Sequence, residues 1–246
     1  MKIIYFAFLI FIFSVPEIFS QGGPPMITDD PYPVEKNHWE INLGFTGEIL
    51  NSVQGYEAPL IDCNYGINNR MHLKFETPFV ISHDNSAGNE SGLGKSSIGV
   101  KWLIFDDKEN KFGMGIFPAF DFNIINSSAE RGLSEKGIQL FLPVSFMKTL
   151  GKTDLVLQVG KVISNTDNGG WRYGFLAGLP ISNNLESAVE LAGSMNTDLT
   201  DHQSFLNLGF RYIFSKTYTF LFSAGKEIIS SSESSTIVYT GLKFFF

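Results

Sequence analysis

Apolar and polar residues alternate with a period of two over most of the chain. Leu206, Leu208 and Phe210, for example, are separated by Asn207 and Gly209. This period indicates a β-strand with two different faces. The pattern predicts twelve strands, near residues 38–47, 57–66, 70–81, 96–106, 112–124, 136–148, 152–163, 171–181, 185–193, 204–214, 217–227 and 236–246.

The connections between the predicted strands alternate in length. Short connections lie at residues 66–69, 106–111, 151–152, 182–184 and 215–216. Longer connections, rich in Ser, Asn and Gly, lie at residues 48–55, 82–95, 125–135, 164–170, 193–203 and 229–235. Short turns at one end and longer loops at the other are typical of outer-membrane barrels, which must close because lipid cannot satisfy an open sheet edge. The predicted fold class is therefore all-β, a transmembrane up-and-down antiparallel β-barrel of about 12 strands over residues 38–246.

The last predicted strand has one apolar face. Counting back in twos from Phe246 gives Phe244, Leu242, Thr240 and Val238. A strand of a soluble sandwich could show the same alternation. A final alternating strand with a terminal phenylalanine nevertheless resembles the closing strand of bacterial outer-membrane barrels, which also serves as their recognition signal for insertion. This resemblance implies two partners, the barrel-assembly machinery and the lipids of the outer membrane.

The N-terminal region differs from the rest of the chain. Residues 1–20 begin with Lys2, continue with an apolar run and end at Ser20, as a secretory signal peptide does. The apolar run is too short for a spanning helix, which needs about 20 residues. Residues 21–37 are rich in proline, which favours an extended segment outside any sheet. We expect this segment to lie in the periplasm, where it could also fold into the mouth of the barrel and gate it.

Composition supports the same class of protein. Aromatic residues make up 14% of the chain, with 24 Phe and 24 Gly, which suits a surface that faces lipid. Charged residues are only 17%, below the usual quarter. The net charge of −7 argues against nucleic acid as a partner, because nucleic-acid binding needs clustered Lys and Arg.

Three stretches of the first half carry a resemblance to a known family. They are residues 23–40, with Gly23-Pro24-Pro25 and His38-Trp39-Glu40, residues 59–73, and residues 92–102. In these stretches the sequence resembles the outer-membrane transporters of the meta-pathway of phenol degradation. The resemblance implies an outer-membrane location and transport of small molecules. Two positions depart from the family: Asp62 stands where Glu is more common, and Lys95 stands where an acidic residue is common.

If the aromatic-rich faces contact lipid, the opposite faces line the lumen with charges of both signs. One interpretation is a polar path whose charges select solutes. The other is an interior of paired charges that fills a narrow barrel, since barrel width grows with strand number. The candidate lumen residues are Glu40, Asp62, Asn64, Lys74, Glu76, Lys101, Asp121, Arg172, Glu186, Glu190 and Arg211.

Catalytic and metal sites are less well supported by the sequence. His83 and His202 lie near Ser82, Ser86 and Ser204 in predicted external loops, and some outer-membrane barrels hydrolyse lipids with a Ser–His pair. A triad is recognised by its geometry, however, and neighbouring letters do not establish it. No nucleotide, dinucleotide or zinc motif occurs, so we predict neither an enzyme nor a cofactor.

One acidic pair could in principle bind a cation. Asp29 and Asp30 could hold calcium, but two carboxylates before a proline more often form a turn. We therefore predict no metal site. The sequence favours an outer-membrane channel or transporter for small molecules, aromatic or hydrophobic ones included. The alternative is a structural or lipid-modifying barrel without a through-path.

Overall fold

The computed structural model describes residues 22–50, 53–84, 88–199, 201–229 and 234–246. The predicted signal peptide, residues 1–20, lies outside this range and stays a prediction. The described part of the chain contains no helix with the length and apolar character that a membrane span requires.

The described chain forms one antiparallel sheet that closes on itself. Its elements are β1 (Trp39–Ile49), β2 (Val53–Asn68), β3 (Met71–Asp84), β4 (Gly88–Leu93), β5 (Lys95–Asp107), β6 (Phe112–Ile116), β7 (Ala119–Asn123), α1 (Asn126–Glu130), β8 (Gln139–Leu150), β9 (Thr153–Ser164), β10 (Gly170–Pro180), β11 (Leu185–Asn196), β12 (His202–Ile213), β13 (Tyr218–Ile229) and β14 (Thr236–Phe245). Strands β1 and β14 pair from Glu40↔Phe245 to Ile49↔Thr236, which closes the barrel.

Two of the barrel strands are interrupted. Strands β4 and β5 both pair with β3 and are separated only by Gly94. Strands β6 and β7 both pair with β5 and β8 and are separated by Phe117 and Pro118, where proline has no N–H for the ladder. Counting each pair as one strand gives a closed antiparallel barrel of twelve strands, which confirms the predicted fold class.

The predicted facing of the strands is also confirmed. Leu73, Phe175, Leu208 and Leu242 are exposed, between 43% and 47%, as expected of side chains that would contact lipid. Their neighbours on the opposite face, such as Asn207, are buried in the lumen. A transmembrane barrel needs this apolar outer band, since lipid cannot hydrate polar groups.

The loops differ from the sequence prediction at the long-loop end. The predicted loop 82–95 is largely a hairpin of β3 and β4, and β1 and β2 likewise extend to residues 49 and 53. Polar side chains on both faces hid these strand ends, because alternation disappears where a strand projects beyond lipid. Residues 124–138 contain the helix α1, although no helix was predicted after the signal peptide. Both ends of the described barrel, at β1 and β14, lie at the short-turn end, which faces the periplasm in outer-membrane barrels.

Candidate functional site

Within the N-terminal residues 22–37, which we call the plug, residues 22–34 lie inside the barrel and the exposed residues 35–37 lead into β1. The sequence predicted an extended periplasmic segment that could also fold into the mouth of the barrel, and most of the segment lies within the lumen. Thr28, Asp30 and Pro31 are almost completely buried. The wall residues that contact the plug lie in the short-turn half and the middle of the strands, so the plug fills the periplasmic half of the lumen.

Glycines in the barrel wall make room for the plug. A Cβ atom added at Gly174 would lie 2.0 Å from Oγ1 of Thr28, and one added at Gly209 would lie 2.3 Å from Sδ of Met26. Both distances are shorter than ordinary Cβ contacts, so a side chain at either position would require the plug to shift. Similar close contacts with the plug occur at Gly66, Gly113 and Gly115. Five inward positions on four strands are thus shaped to the plug backbone and side chains.

Charged wall residues bind the main chain of the plug. Arg211 donates hydrogen bonds to the carbonyl oxygens of Gly22, Gly23 and Pro24, at 2.8, 3.0 and 3.0 Å. The carboxylate of Glu190 accepts the N–H groups of Ile27 and Thr28, at 3.1 and 2.5 Å. Two opposite charges therefore satisfy plug backbone groups that form no sheet of their own, and hydrogen bonds to charged groups are the stronger ones.

One ion pair and several neutral contacts add to the polar attachment. Lys101 Nζ lies 2.6 Å from Asp29 Oδ1, and the lysine side chain is 5% exposed. Nδ1 of His72 accepts the N–H of Val34 at 3.0 Å. Ser223 donates its hydroxyl to the carbonyl of Pro25 at 2.7 Å. These contacts come from β3, β5 and β13, so the plug is attached around the circumference of the lumen.

An apolar cluster includes the plug residue Met26, and Tyr32 of the plug packs against it. Met26 packs with Met147, Val156, Leu176 and Ala188, which project into the lumen from four neighbouring strands. Burying a methionine side chain stabilises a structure by about 1.5–3 kcal/mol. The lumen of this barrel therefore has a small hydrophobic core that exists only because the plug enters it.

A separate network of paired charges lies along β1 to β3. Lys74 Nζ lies 3.3 Å from Asp62 and 2.9 Å from Glu76, and Asp62 also accepts hydrogen bonds from the amides of Asn42 and Asn64. Next to this network, Lys243 pairs with Glu40 at 2.9 Å. These groups form part of the wall and neutralise one another.

The long-loop half of the lumen contains a cavity of about 300 Å³, which we call the outer cavity. Phe141, Gln158, Arg172, Gln203 and Phe205 line its sides. Ile27 and Thr28 of the plug also line it, at the end nearest the periplasmic half. The guanidinium of Arg172 lies 5.1 Å from the centre of the Phe141 ring, within cation–π range.

Solved structures similar to this chain include an outer membrane channel, a porin and an autotransporter translocator domain. The COG4313 outer membrane channel from Pseudomonas putida F1 is 14% identical, with a TM-score of 0.68 over 88% of this chain and 98% of that one. The fold is that of an outer-membrane β-barrel. The KdgM porin in complex with disordered oligogalacturonate is 9% identical, with a TM-score of 0.59 over 83% of this chain and 99% of that one. The translocator domain of the autotransporter NalP from Neisseria meningitidis is 11% identical, with a TM-score of 0.55 over 84% and 87%.

Sequence comparisons do not assign this chain to a family. No protein-family model matches the chain, and no curated protein matches its sequence. At these identities the solved structures establish the fold alone.

The predicted lumen residues divide into groups in this outer-membrane barrel. Lys101, Glu190 and Arg211 hold the plug, and Glu186 borders the same contact beside Pro25. Asp121 lies apart from the plug contacts and accepts a hydrogen bond from Ser97 at 2.6 Å. The remaining predicted residues form the wall network or, in the case of Arg172, the outer cavity. The sequence analysis did not predict that inward-facing glycines make room for the plug. The signal that could have shown it is glycine at lumen-facing positions where a polar residue is expected.

The alternative sites considered from the sequence are occupied by other contacts. In the described chain, the ring of His83 contacts the side chain of Asn89. The hydroxyl of Ser204 contacts the hydroxyl of Tyr173. Neither contact joins a serine to a histidine. Ser86 lies outside the described residues. No group of three or more metal-ligating side chains is found in the described ranges.

The acidic pair of the plug is engaged with other groups as well. Asp29 pairs with Lys101, and Asp30 accepts the N–H groups of Gly22 and Tyr32, at 2.9 and 2.8 Å. Asp30 therefore stabilises a turn of the plug, which agrees with the structural interpretation of this pair.

Proposed function

We propose that this protein is a passive outer-membrane channel for small solutes whose periplasmic half is closed by the plug. The observation that carries the proposal is the division of the lumen. Its external half is an open cavity, while its periplasmic half is filled by a segment that belongs to no strand. A closure made by a tethered segment can be removed without breaking any barrel strand.

The chemistry of the plug contacts supports this function. Apart from Met26 and Tyr32, which pack at the apolar cluster, the attachments named above are hydrogen bonds and one ion pair, and water can replace such partners at modest net cost. A barrel filled permanently could instead use large side chains from its own wall. Here the wall has glycines at the closest contacts, and it depends on residues 22–37 to fill the space that they leave.

Similarity to other proteins supports the same function at a coarser level. The solved structure with a TM-score of 0.68 is described as an outer membrane channel, and that with 0.59 is a porin complexed with an oligosaccharide acid. The N-terminal resemblance to transporters of the meta-pathway of phenol degradation extends this proposal to small aromatic or hydrophobic solutes. We assign the lumen residues Lys101, Glu190 and Arg211 to closure and Arg172 to the solute path.

The test is conductance in a planar lipid bilayer. The mature chain is compared with a variant that lacks residues 22–36 and is otherwise identical. We expect the mature chain to show closed periods broken by rare openings, and the deletion variant to conduct steadily. Heat-modifiable migration in gel electrophoresis is the control that both proteins are folded barrels.

A structural barrel without a path is the second candidate, and the apolar cluster around Met26 favours it because it packs the lumen tightly. Folded deletion protein that does not conduct would remove the channel function and leave this alternative. Rare openings of the mature chain together with steady conductance of the deletion variant would remove the alternative.

A further inference from the structure

The outer cavity contains a cation that differs from the other lumen cations. Lys74, Lys101 and Lys243 each form an ion pair with a carboxylate, and Arg211 is bound to plug carbonyls. Arg172 has no carboxylate within 4.0 Å among the described residues. In the described part of the chain its guanidinium lies over the ring of Phe141, and the side chain lines the outer cavity.

The other walls of the outer cavity are partly apolar. Phe205, which is 8% exposed, lines the cavity together with Phe141, Gln158 and Gln203. A volume of about 300 Å³ is at the small end of the range for small-molecule sites, and an apolar cavity of roughly 150 Å³ holds one benzene ring. The space thus suits one ring with a short polar substituent.

We infer that the outer cavity binds small monoanions that carry a ring, of which aromatic carboxylates are the simplest class. The carboxylate would accept two parallel N–H bonds from Arg172, a geometry that guanidinium groups provide. The ring would pack against Phe141 and Phe205, and the amide of Gln203 would bind ring substituents. This inference rests on the proposed function, since it names the solute class that enters the channel from outside.

Arg172 suits this ligand better than a lysine that is already paired with a carboxylate would. A guanidinium already stacked on an aromatic ring is held in place, so little rotamer entropy is lost when the ligand binds. A neutral ring would keep the apolar contacts but lose the charged hydrogen bonds. A short anion such as acetate would keep the hydrogen bonds but lose the ring contacts. Each should bind more weakly than the ring-bearing carboxylate.

The test measures binding directly, without conductance. Isothermal titration of the folded, detergent-solubilised mature chain uses benzoate, benzamide and acetate as ligands. We expect benzoate to bind at least tenfold more tightly than benzamide or acetate. Arg172→Gln should weaken benzoate binding at least tenfold, bring it to the level of benzamide, and leave benzamide binding unchanged.

Two further variants separate the site from general effects of charge and folding. Arg70→Gln removes an exposed arginine at the opposite end of the barrel and should leave benzoate binding unchanged. Arg172→Lys should retain part of the benzoate preference, because the charge remains and the bidentate geometry is lost.

Equal affinity for benzoate and benzamide, or full benzoate binding by a folded Arg172→Gln variant, would overturn the inference. Those results would leave the proposed channel untouched if the plug deletion conducts. Benzoate binding with no conductance in either form would instead reject the channel and retain the ligand site.

Discussion

Replacing Glu190 with glutamine should loosen the plug. One carboxylate oxygen accepts N–H groups from Ile27 and from the Asn207 amide, both at 3.1 Å, and the other accepts the Thr28 N–H. Glutamine keeps the shape but offers one acceptor oxygen and an NH₂ group. Whichever way the amide turns, at least one of the three donors then faces another donor.

The expected size follows from these three contacts. A hydrogen bond to a charged group contributes about 1.5–3 kcal/mol. Glu190→Gln removes the charge from all three hydrogen bonds and places a donor against at least one of the three donors. Glu190 is fully buried, so water does not replace the lost partner. Because part of the loss is shared with the barrel wall through Asn207, we expect docking of the plug to weaken by about 3 kcal/mol, roughly a hundredfold in the docking equilibrium.

Thiol labelling can measure this change. In a Cys63→Ser background, a cysteine placed at Met26 is buried while the plug is docked and reacts only when it is undocked. We expect Glu190→Gln to increase the labelling rate by at least tenfold. Asp121→Asn is the matched control, since it neutralises a lumen carboxylate that contacts Ser97 instead of the plug. Equal labelling rates in the parent and Glu190→Gln, or an equal increase in Asp121→Asn, would refute the role assigned to Glu190.

Three other changes test the plug contact, the facing of the strands and the closure of the barrel. Gly174→Val places a side chain in the space that the plug occupies and should raise conductance, whereas Gly55→Val, where an added Cβ meets nothing within 4 Å, should not; equal conductance of the two would contradict the plug contact. Leu208→Arg puts a charge on the lipid face near the middle of β12 and should lower the free energy of unfolding by about 2–4 kcal/mol. Ser194→Arg, on the lumen face, should lower it much less. Equal losses would mean that the assigned facing of the strands is wrong. Deleting Phe246, whose main chain exchanges hydrogen bonds of 2.6 and 3.1 Å with β1, should reduce the heat-modifiable form recovered from outer-membrane fractions, and unchanged recovery would contradict its role in closing the barrel.

The fold could be predicted from the sequence because lipid imposes a strict pattern. Leu206, Leu208 and Phe210 must alternate with lumen residues wherever β12 crosses the bilayer. The pattern fails where the strand leaves lipid, which is why β4 was predicted as loop. It also fails at Phe117 and Pro118, where one crossing is divided between two short strands.

The content of the lumen could be predicted only in part. The alternation of faces along each strand identified Glu190 and Arg211 as lumen residues, but it does not show which groups these charges bind. Their partners are main-chain groups of residues more than 160 positions away in the sequence, and no local pattern encodes such a contact. A proline-rich segment is equally compatible with the periplasm and with a groove that satisfies its backbone groups. The glycines that form this groove become informative only once the plug is seen beside them.

The most direct test of closure by the plug is a disulfide that can be made and broken in one protein. Cysteines replace Thr28 and Gly174 in a Cys63→Ser and Glu190→Gln background. A Cβ at position 174 lies 2.9 Å from the Cβ of residue 28. A shift of about 1 Å gives the Cβ–Cβ spacing of about 3.8 Å found in disulfides. We expect no single-channel current while the disulfide is oxidised, current after reduction, and loss of the current on reoxidation. Current of equal size in the oxidised and reduced protein would contradict closure of the lumen by residues 22–37.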